Sequence, residues 1–493
     1  ALRASLLNLD HQIDRHPLFN WGSFRWFEGL IAVYYLYERQ PEDWLPALAV
    51  KLHAQGFHWG DFFKRWPFTQ ATEPRRWNFM SHVVNNAMAV KAHGLWWRLT
   101  GEPADRQAVY DMIEKLERFH GLPTGMFTGD ECLAGKRPTQ GTELCAVVEY
   151  AYSLETLLAL FGDSAFGDRL EKVIFNALPA TFSPDMWAHQ YDQQANQVLC
   201  SIGPRGWNSN GPESNIYGLE PNYGCCTANL SQGWPKFAAH LWMRSADGGL
   251  AAAAYAPGEA RLEIAGAPVT ARLETDYPFD DELHFVLSVG GGEARRFPLY
   301  LRIPAWAAGA ELRIGGEFHR PAPGTFFRLE REWQGETSFT LALPAQPELL
   351  RGWNQSVALG RGPLVFALKM SEEWRQINVD HPHRELPHAD WAVYPAGPWN
   401  YAVRLSEDGL AGQVRFSRRP LGERPFSPDG APVEAHVWAR RLPAWGMDGL
   451  SAADVPAGPQ RSDEPLEEIT LIPYGCTNLR VTEFPQLDES GAD

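Results

Sequence analysis

The chain has 493 residues, of which 44% are hydrophobic and 21% charged, a balance that excludes a disordered chain and leaves room for about three domains. Its net charge of -16, with no basic block, argues against nucleic acid as the main partner, and no run of about 18 uncharged apolar residues marks a membrane span. The six cysteines are too few for a disulfide framework, and 20 residues are Trp.

The chain opens Ala-Leu-Arg-Ala-Ser without Met or a signal-like pattern and reads as a domain already under way, so the natural protein is expected to continue upstream. Up to about residue 245 the apolar positions keep helical spacing. Arg25–Arg39 carries Phe27, Leu30, Ile31, Tyr34 and Tyr37 on one face. Trp44–Gly56, His82–Leu99, Pro103–His120, Leu144–Phe161 and Phe166–Ala177 follow, then Thr227–Met243 with an interruption expected near Gly233-Trp234-Pro235. Long Gly-, Pro- and Trp-rich loops fill 57–80, 121–141 and 180–224. Paired helices of this size predict an α/α toroid with functional loops at one mouth, an irregular helical bundle being the alternative.

After about 245 the period shortens. Leu250–Tyr255, Ala260–Ile264, Val269–Thr275, Leu283–Val289, Leu299–Ile303, Phe326–Glu330, Thr337–Leu343 and Pro363–Leu368 are short apolar or alternating runs punctuated by Gly and Pro. This predicts a β-sandwich over 246–370. Residues 371–493 are Pro-rich, with strand candidates at Val433–Arg440 and Ile469–Ile472, and read as a second, looser β-region.

The chemistry concentrates in GMFTGDECLAGKRPTQGTELC, residues 125–145, with Asp130, Glu131, Glu143 and Cys145, and in NYGCCTAN, with Cys225 and Cys226. Thr142 and Thr227 are expected as N-caps, which sets both cysteine elements at helix N-termini, where the dipole and free N–H groups favour thiolates. One carboxylate and three thiolates make a four-coordinate zinc set, although the spacing is not that of a zinc finger. The competing reading is that these cysteines are simply packed.

The Glu143–Cys145 ExC element, the CC pair ahead of an Asn, and the segments HVVNNAMAVK, YGCCTANLSQGWPKF and IPYGCTNLRVTEFP resemble glycoside hydrolase family 127, the β-L-arabinofuranosidase-like group. The resemblance covers most of the chain. It implies an (α/α)6 barrel followed by β-sandwich domains, a Zn2+ ion held by Glu143, Cys145, Cys225 and Cys226, Cys225 as nucleophile of a retaining reaction, and Glu131 as acid/base. The chain departs from the family's common CCPPN by reading CCTAN at 225–229, and only 12 residues separate Glu131 from Glu143. Asp130 competes for the acid/base role. The implied activity is that of a zinc-dependent retaining exo-glycosidase releasing L-arabinofuranose or a related sugar from an oligosaccharide or glycoside. In that role a Glu131 pKa raised in the free chain is expected.

His82, at the start of HVVNNAMAVK, is a candidate substrate ligand, as are His189, Tyr191 and Gln194 in the polar run HQYDQQANQ, and Tyr223 before the cysteine pair. Trp59, Trp66, Trp77 and Trp207 lie in long loops where sugar stacking is plausible, whereas Cys132, Cys200 and Cys476 carry no partner signal. Two other readings stay open: an α/α-barrel hydrolase or lyase using Asp130 and Glu131 alone, and a non-catalytic carbohydrate-binding protein with a structural zinc. Reduced thiolates point to a cytoplasmic setting.

Overall fold

The structure, a computed structural model, describes residues 1–74, 76–207, 211–219 and 224–488. It mixes helices and sheets in two successive stretches. The first is helical, from Leu2–Gln12 to Gly224–Ala239. Pro103–His120 shows why such segments coil: Pro stands in the first turn, where its missing N–H costs nothing, and Val109, Met112, Ile113 and Leu116 line one buried face. Leu144–Phe161 is buried on nearly every side and stops at Gly162, whose φ of +61° suits a glycine cap. By length and composition this helix could cross a membrane, a feature not expected from the sequence; 67% of it is buried inside the fold, as befits a core helix.

Several boundaries differ from expectation. His82–Leu99 divides into Val83–Ala89 and Ala92–Thr100, with the junction at Lys91, whose fully buried ammonium reaches Glu28 at 2.6 Å and the Ser153 hydroxyl at 3.3 Å. A π-turn, Val173–Ala177, ends the helix that begins at Ser164. The last helix starts at Gly224 and runs unbroken through Pro235. Pro235 withholds a hydrogen bond only from the carbonyl four residues back, at Ser231, on an exposed face.

The second stretch is built of sheets. A six-stranded antiparallel sheet has Gly258–Ile264, Ala267–Glu274, Glu282–Val289, Gly335–Ala342, Glu311–Ile314 and Glu317–His319 in that spatial order. A four-stranded sheet joins Trp242–Arg244, Leu250–Ala252, Arg295–Ile303 and Thr325–Trp333. Along Glu282–Val289 the buried residues alternate as Leu283, Phe285, Leu287 and Val289, and Phe285 meets Trp242 of the smaller sheet edge to face, with centroids 5.9 Å apart.

The third sheet has seven strands, including Val357–Arg361, Leu364–Leu368, Val433–Arg441 and Leu466–Pro473. Leu364–Leu368 pairs with Leu466–Pro473, so a boundary at 370 falls inside one sheet, and the region read as loose has a buried central layer.

Two buried polar devices tie the stretches together. Arg302 of Arg295–Ile303 pairs with Asp168 and Glu171 of the helix Ser164–Lys172, and Glu171 also accepts from the Tyr255 amide at 2.8 Å. Near the C-terminus, Arg480–Val481 pairs with Asn196–Gln197, while the fully buried Arg480 guanidinium donates to the carbonyls of Gln194 at 3.1 Å and Ala180 at 3.0 Å.

Candidate active site

Three backbone elements meet at the site. The Glu131 carbonyl accepts from Val83 N at 2.8 Å, and Leu133 N donates to the Ser81 carbonyl at 2.9 Å, which lays Glu131 beside His82. Gly129 permits this approach, since a Cβ there would stand 2.6 Å from Val83 Cβ. The Gly129 carbonyl in turn accepts from Glu143 N at 2.9 Å, and Thr142–Glu143 pairs antiparallel with Asp192–Gln193. Leu144 N donates to the Tyr191 carbonyl at 2.9 Å, so Tyr191 is drawn alongside.

Cys145 lies in the first turn of Leu144–Phe161, and Cys225 and Cys226 in the first turn of Gly224–Ala239. The expected helix-terminal setting therefore holds, but the expected caps do not. Glu143 occupies the N-cap in place of Thr142, and Thr227 lies inside the helix. Thr227 instead donates to the Leu219 carbonyl at 2.9 Å and receives His189 Nε2 at 2.9 Å.

The donor atoms of Glu143, Cys145, Cys225 and Cys226 all lie within 4.8 Å of one another, with Cys145 Sγ and Cys226 Sγ 3.2 Å apart. All but Cys225 are buried, and one oxygen of Glu143 has no hydrogen-bond partner. Such a cluster could hold a metal ion. A tetrahedral ion with metal–sulfur bonds of about 2.3 Å needs sulfurs about 3.8 Å apart, which this span accommodates. Hydrogen bonds from the Cys145 and Cys226 thiols pull the Cys225 thiol down and favour its ionised form. The hydrogen bond to Cys225 pushes Cys145 up, and burial does the same for Cys226. Burial, with the charges of Glu131 and Cys225, also pushes the Glu143 carboxyl well up.

Beside this cluster, Glu131 accepts from the Tyr191 hydroxyl at 2.7 Å and from Trp77 Nε1 at 3.2 Å, and its carboxylate lies 3.4 Å from His82 Nε2. His82 serves two purposes: its Nδ1 accepts from Asn85 N at 3.2 Å, capping the helix Val83–Ala89, which leaves the Nε2–H tautomer facing Glu131. Burial works to raise Glu131, but the bonds from His82, Tyr191 and Trp77 outweigh it and hold the carboxyl below its usual range. The raised pKa expected in the free chain is therefore not found. Asp130 is fully buried; a Cβ on Gly141 would meet Asp130 Cβ at 3.0 Å and Asp192 Cγ at 3.2 Å, whereas the Glu131 side chain keeps 18% of its surface exposed.

The remaining candidates separate. Gln194 is fully buried, with its amide on the Thr139 carbonyl and the Ser451 hydroxyl. His189 braces Thr227 and the Gln190 carbonyl. Tyr223 lies outside the described residues. Trp59 and Trp66 are core residues bonded to the Phe24 and Phe68 carbonyls, and Trp207 donates to the Thr139 carbonyl, so of the loop indoles proposed for stacking only Trp77 borders the site. Burial pushes Cys132 to about 11 and Cys200 to about 12, and raises Cys476 as well, which keeps all three as unreactive thiols.

Arg25, Asn85 and Trp21 join the site without a motif of their own in the sequence. Arg25 donates to Asn85 Oδ1 at 2.8 Å and lies over Trp21, and burial lowers its pKa against the raising effect of nearby carboxylates. The His82-to-Asn85 spacing of a capping pair was the one signal available for Asn85.

The order of a helical stretch with its thiol–carboxylate cluster and then sheets can now be set beside known proteins. Residues 249–345 match the sequence model described as "Beta-L-arabinofuranosidase, GH127 middle domain", which bears out the resemblance read from the ExC and CC elements. Among solved structures, a GH127 beta-L-arabinofuranosidase from Geobacillus stearothermophilus T6 is 20% identical, with 92% of this chain and 70% of that one covered at a TM-score of 0.63. A structure titled as a glycoside hydrolase is 16% identical over 98% of this chain and 79% of that one, TM-score 0.68. A GH127 beta-arabinofuranosidase is 16% identical over 94% and 68%, TM-score 0.63. At these identities the likeness is one of fold. No curated protein sequence matches the chain.

Proposed function

We infer that the chain is a metal-dependent retaining exo-glycosidase that releases L-arabinofuranose or a closely related sugar. The observation that carries this reading is the convergence of three thiols and one carboxylate within 4.8 Å, with Glu131 close enough to share Glu143 as a neighbour. Two proteins of similar fold, a beta-L-arabinofuranosidase and a beta-arabinofuranosidase, support the choice of sugar.

Glu143, Cys145, Cys225 and Cys226 would hold the ion, and a set of three soft thiolates and one carboxylate favours Zn2+. Bound there, zinc supplies positive charge that keeps the thiols ionised and fixes their directions. Cys225, the most exposed of the three, attacks the anomeric carbon through Sγ, forming a C–S bond as the C–O bond to the leaving group breaks. Glu131 gives its proton to the departing oxygen. In the second step Glu131 takes a proton from water, whose oxygen displaces Sγ, so two inversions restore the original configuration. Substrate hydroxyls that compete for the Tyr191 hydroxyl weaken its hold on Glu131 and let burial weigh more heavily, which favours the protonated form. The partial exposure of Glu131, against the complete burial of Asp130, supports Glu131 in this role.

The helical stretch is proposed as an (α/α)6 barrel over 1–245, supported by its succession of helices to Ala239, with sandwich and C-terminal β parts after it. Strands from Pro347 onward go with the C-terminal part because they share its sheet.

The test is a panel of nitrophenyl glycosides and plant-wall oligosaccharides, run with metal analysis and with NMR of the first-formed anomer. The expected result is about one zinc per chain, release of L-arabinofuranose with retained configuration, and Cys225→Ser chain that keeps metal without turnover. Turnover retained in Cys225→Ala, or an inverted first product, overturns the reading.

A further inference from the structure

Trp21 and Trp77 are exposed over 42% and 37% of their surface and form one continuous wall. Their rings meet edge to face with centroids 5.5 Å apart. Each also packs on His82, at 5.2 and 5.7 Å, and on Phe79, both at 4.9 Å. The wall starts at the carboxylate already described, because Trp77 Nε1 donates to Glu131 Oε2 at 3.2 Å. It is also braced from behind: the Arg25 guanidinium lies 4.5 Å from the Trp21 ring centre and is itself fixed by Asn85 Oδ1 at 2.8 Å. Exposed indoles scattered singly need no explanation, but two in contact, braced by a cation and adjoining a partly exposed carboxylate, are a built apolar surface.

We propose that Trp21 and Trp77 form a stacking platform for the sugar ring of the leaving group, so that the substrate is a di- or oligosaccharide rather than a simple alkyl glycoside. This rests on the reading of Glu131 as the proton donor. The oxygen that Glu131 protonates must come within hydrogen-bond reach of its carboxylate, and the anomeric carbon lies on the Cys225 side of that oxygen. Whatever else the oxygen carries therefore extends away from Cys225. The groups around Glu131 Oε2 are His82, which is buried, and Trp77, and beyond them Trp21, so the exposed surface there is that of the two indoles. A pyranose or furanose ring presents an apolar face of C–H groups that can lie flat on an indole, and a methyl group is too small to cover either ring. The indole N–H of Trp77 is occupied by Glu131, so the platform offers its π-faces and edges rather than hydrogen bonds, which makes it tolerant of which sugar leaves.

The experiment compares a β-L-arabinofuranosyl disaccharide with methyl β-L-arabinofuranoside on the full metal-loaded chain. The expected ratio of kcat/KM, disaccharide over methyl glycoside, falls about tenfold in Trp21→Ala, mainly through KM, and is largely kept in Trp21→Phe, which retains a ring. A second readout avoids turnover: the disaccharide quenches indole fluorescence of the Cys225→Ser chain, and the quench weakens about tenfold in affinity when Trp21→Ala is added. Equal losses on both substrates, an unchanged ratio, or disaccharide affinity indifferent to Trp21 overturns the platform. If neither glycoside is cleaved, the enzymatic reading fails, and the fluorescence titration alone decides whether the wall binds saccharide.

Discussion

The Tyr191 hydroxyl donates to Glu131 Oε1 at 2.7 Å, joining two residues 60 positions apart. Burial and the surrounding carboxylates push the ionisation of Tyr191 far up, so it is a permanent donor. It is one of three groups that hold Glu131 below the usual carboxylate range against the opposing effect of burial.

Tyr191→Phe deletes that donor while keeping the ring. With one stabilising bond to the charged form gone, the Glu131 pKa rises, and the limb of the kcat/KM profile that reports Glu131 moves to higher pH. Turnover at the optimum falls about tenfold, the scale of a hydrogen bond to a charged group. A pH–rate series on both chains checks it; a limb that stays put or moves to lower pH contradicts the assignment.

Metal removal should unfold the site before it unfolds the rest. A ligand bound only by the folded chain stabilises it by about 2.7 kcal/mol at a hundredfold excess over its Kd. Dialysis against a chelator is expected to lower Tm, zinc to restore it, and Glu143→Gln to be insensitive to both. Calorimetry with and without zinc decides; identical curves for the treated and untreated chains mean the four residues hold no stabilising ion.

Glu483 governs a separate pH effect. Its carboxyl is fully buried, one oxygen accepts from the Ser356 hydroxyl at 2.6 Å and from Trp353 N at 2.8 Å, and the other has no hydrogen-bond partner. Burial pushes its pKa from 4.5 to about 7. Below 4.5 both states are protonated and the group contributes no pH dependence. Between 4.5 and about 7 the unfolded chain releases a proton that the folded chain keeps, so stability falls as pH rises, by about 3 kcal/mol in total. Glu483→Gln removes this fall. Urea midpoints at pH 5 and pH 8 should show the variant gaining on the parent at the higher pH, and parallel behaviour of the two chains would count against it.

Arg302→Met leaves Glu171 and Asp168 facing an apolar side chain in the buried junction between the helix Ser164–Lys172 and the strand Arg295–Ile303. Breaking a buried pair in this way costs about 3–5 kcal/mol. Chemical denaturation followed by tryptophan fluorescence measures it, and a midpoint within error of the parent shows the pair to be dispensable.

Much of this was legible in the chain. Pro103–His120 and Leu144–Phe161 fall where the apolar period places them, because each buries a face or a whole circumference that the period records. The break at Lys91 was not, since it depends on a buried ammonium whose partners, Glu28 and Ser153, come from two other helices. Nor was the passage of a helix through Pro235, which turns on solvent reaching one side only. Glu143, Cys145, Cys225 and Cys226 could be picked out because thiols and a carboxylate at helix starts form a recognisable donor set. Trp21 and Arg25 could not, because their part comes from packing against Asn85 and His82, and a stretch rich in aromatics reads first as core.

The pairing of Arg480–Val481 with Asn196–Gln197 has a consequence for synthesis. Asn196 also donates to the Glu483 carbonyl at 3.0 Å and Gln197 to that of Asn478 at 2.7 Å, while Tyr191 and Asp192 lie just upstream on the same run. A nascent chain that has emerged only to the end of its helical stretch carries every thiol of the cluster but lacks the segment that pins this run in place. Order in this run then waits until the chain has been made through Glu483, and a polypeptide released earlier bears the thiols without the strand that pins the run carrying Tyr191 and Asp192.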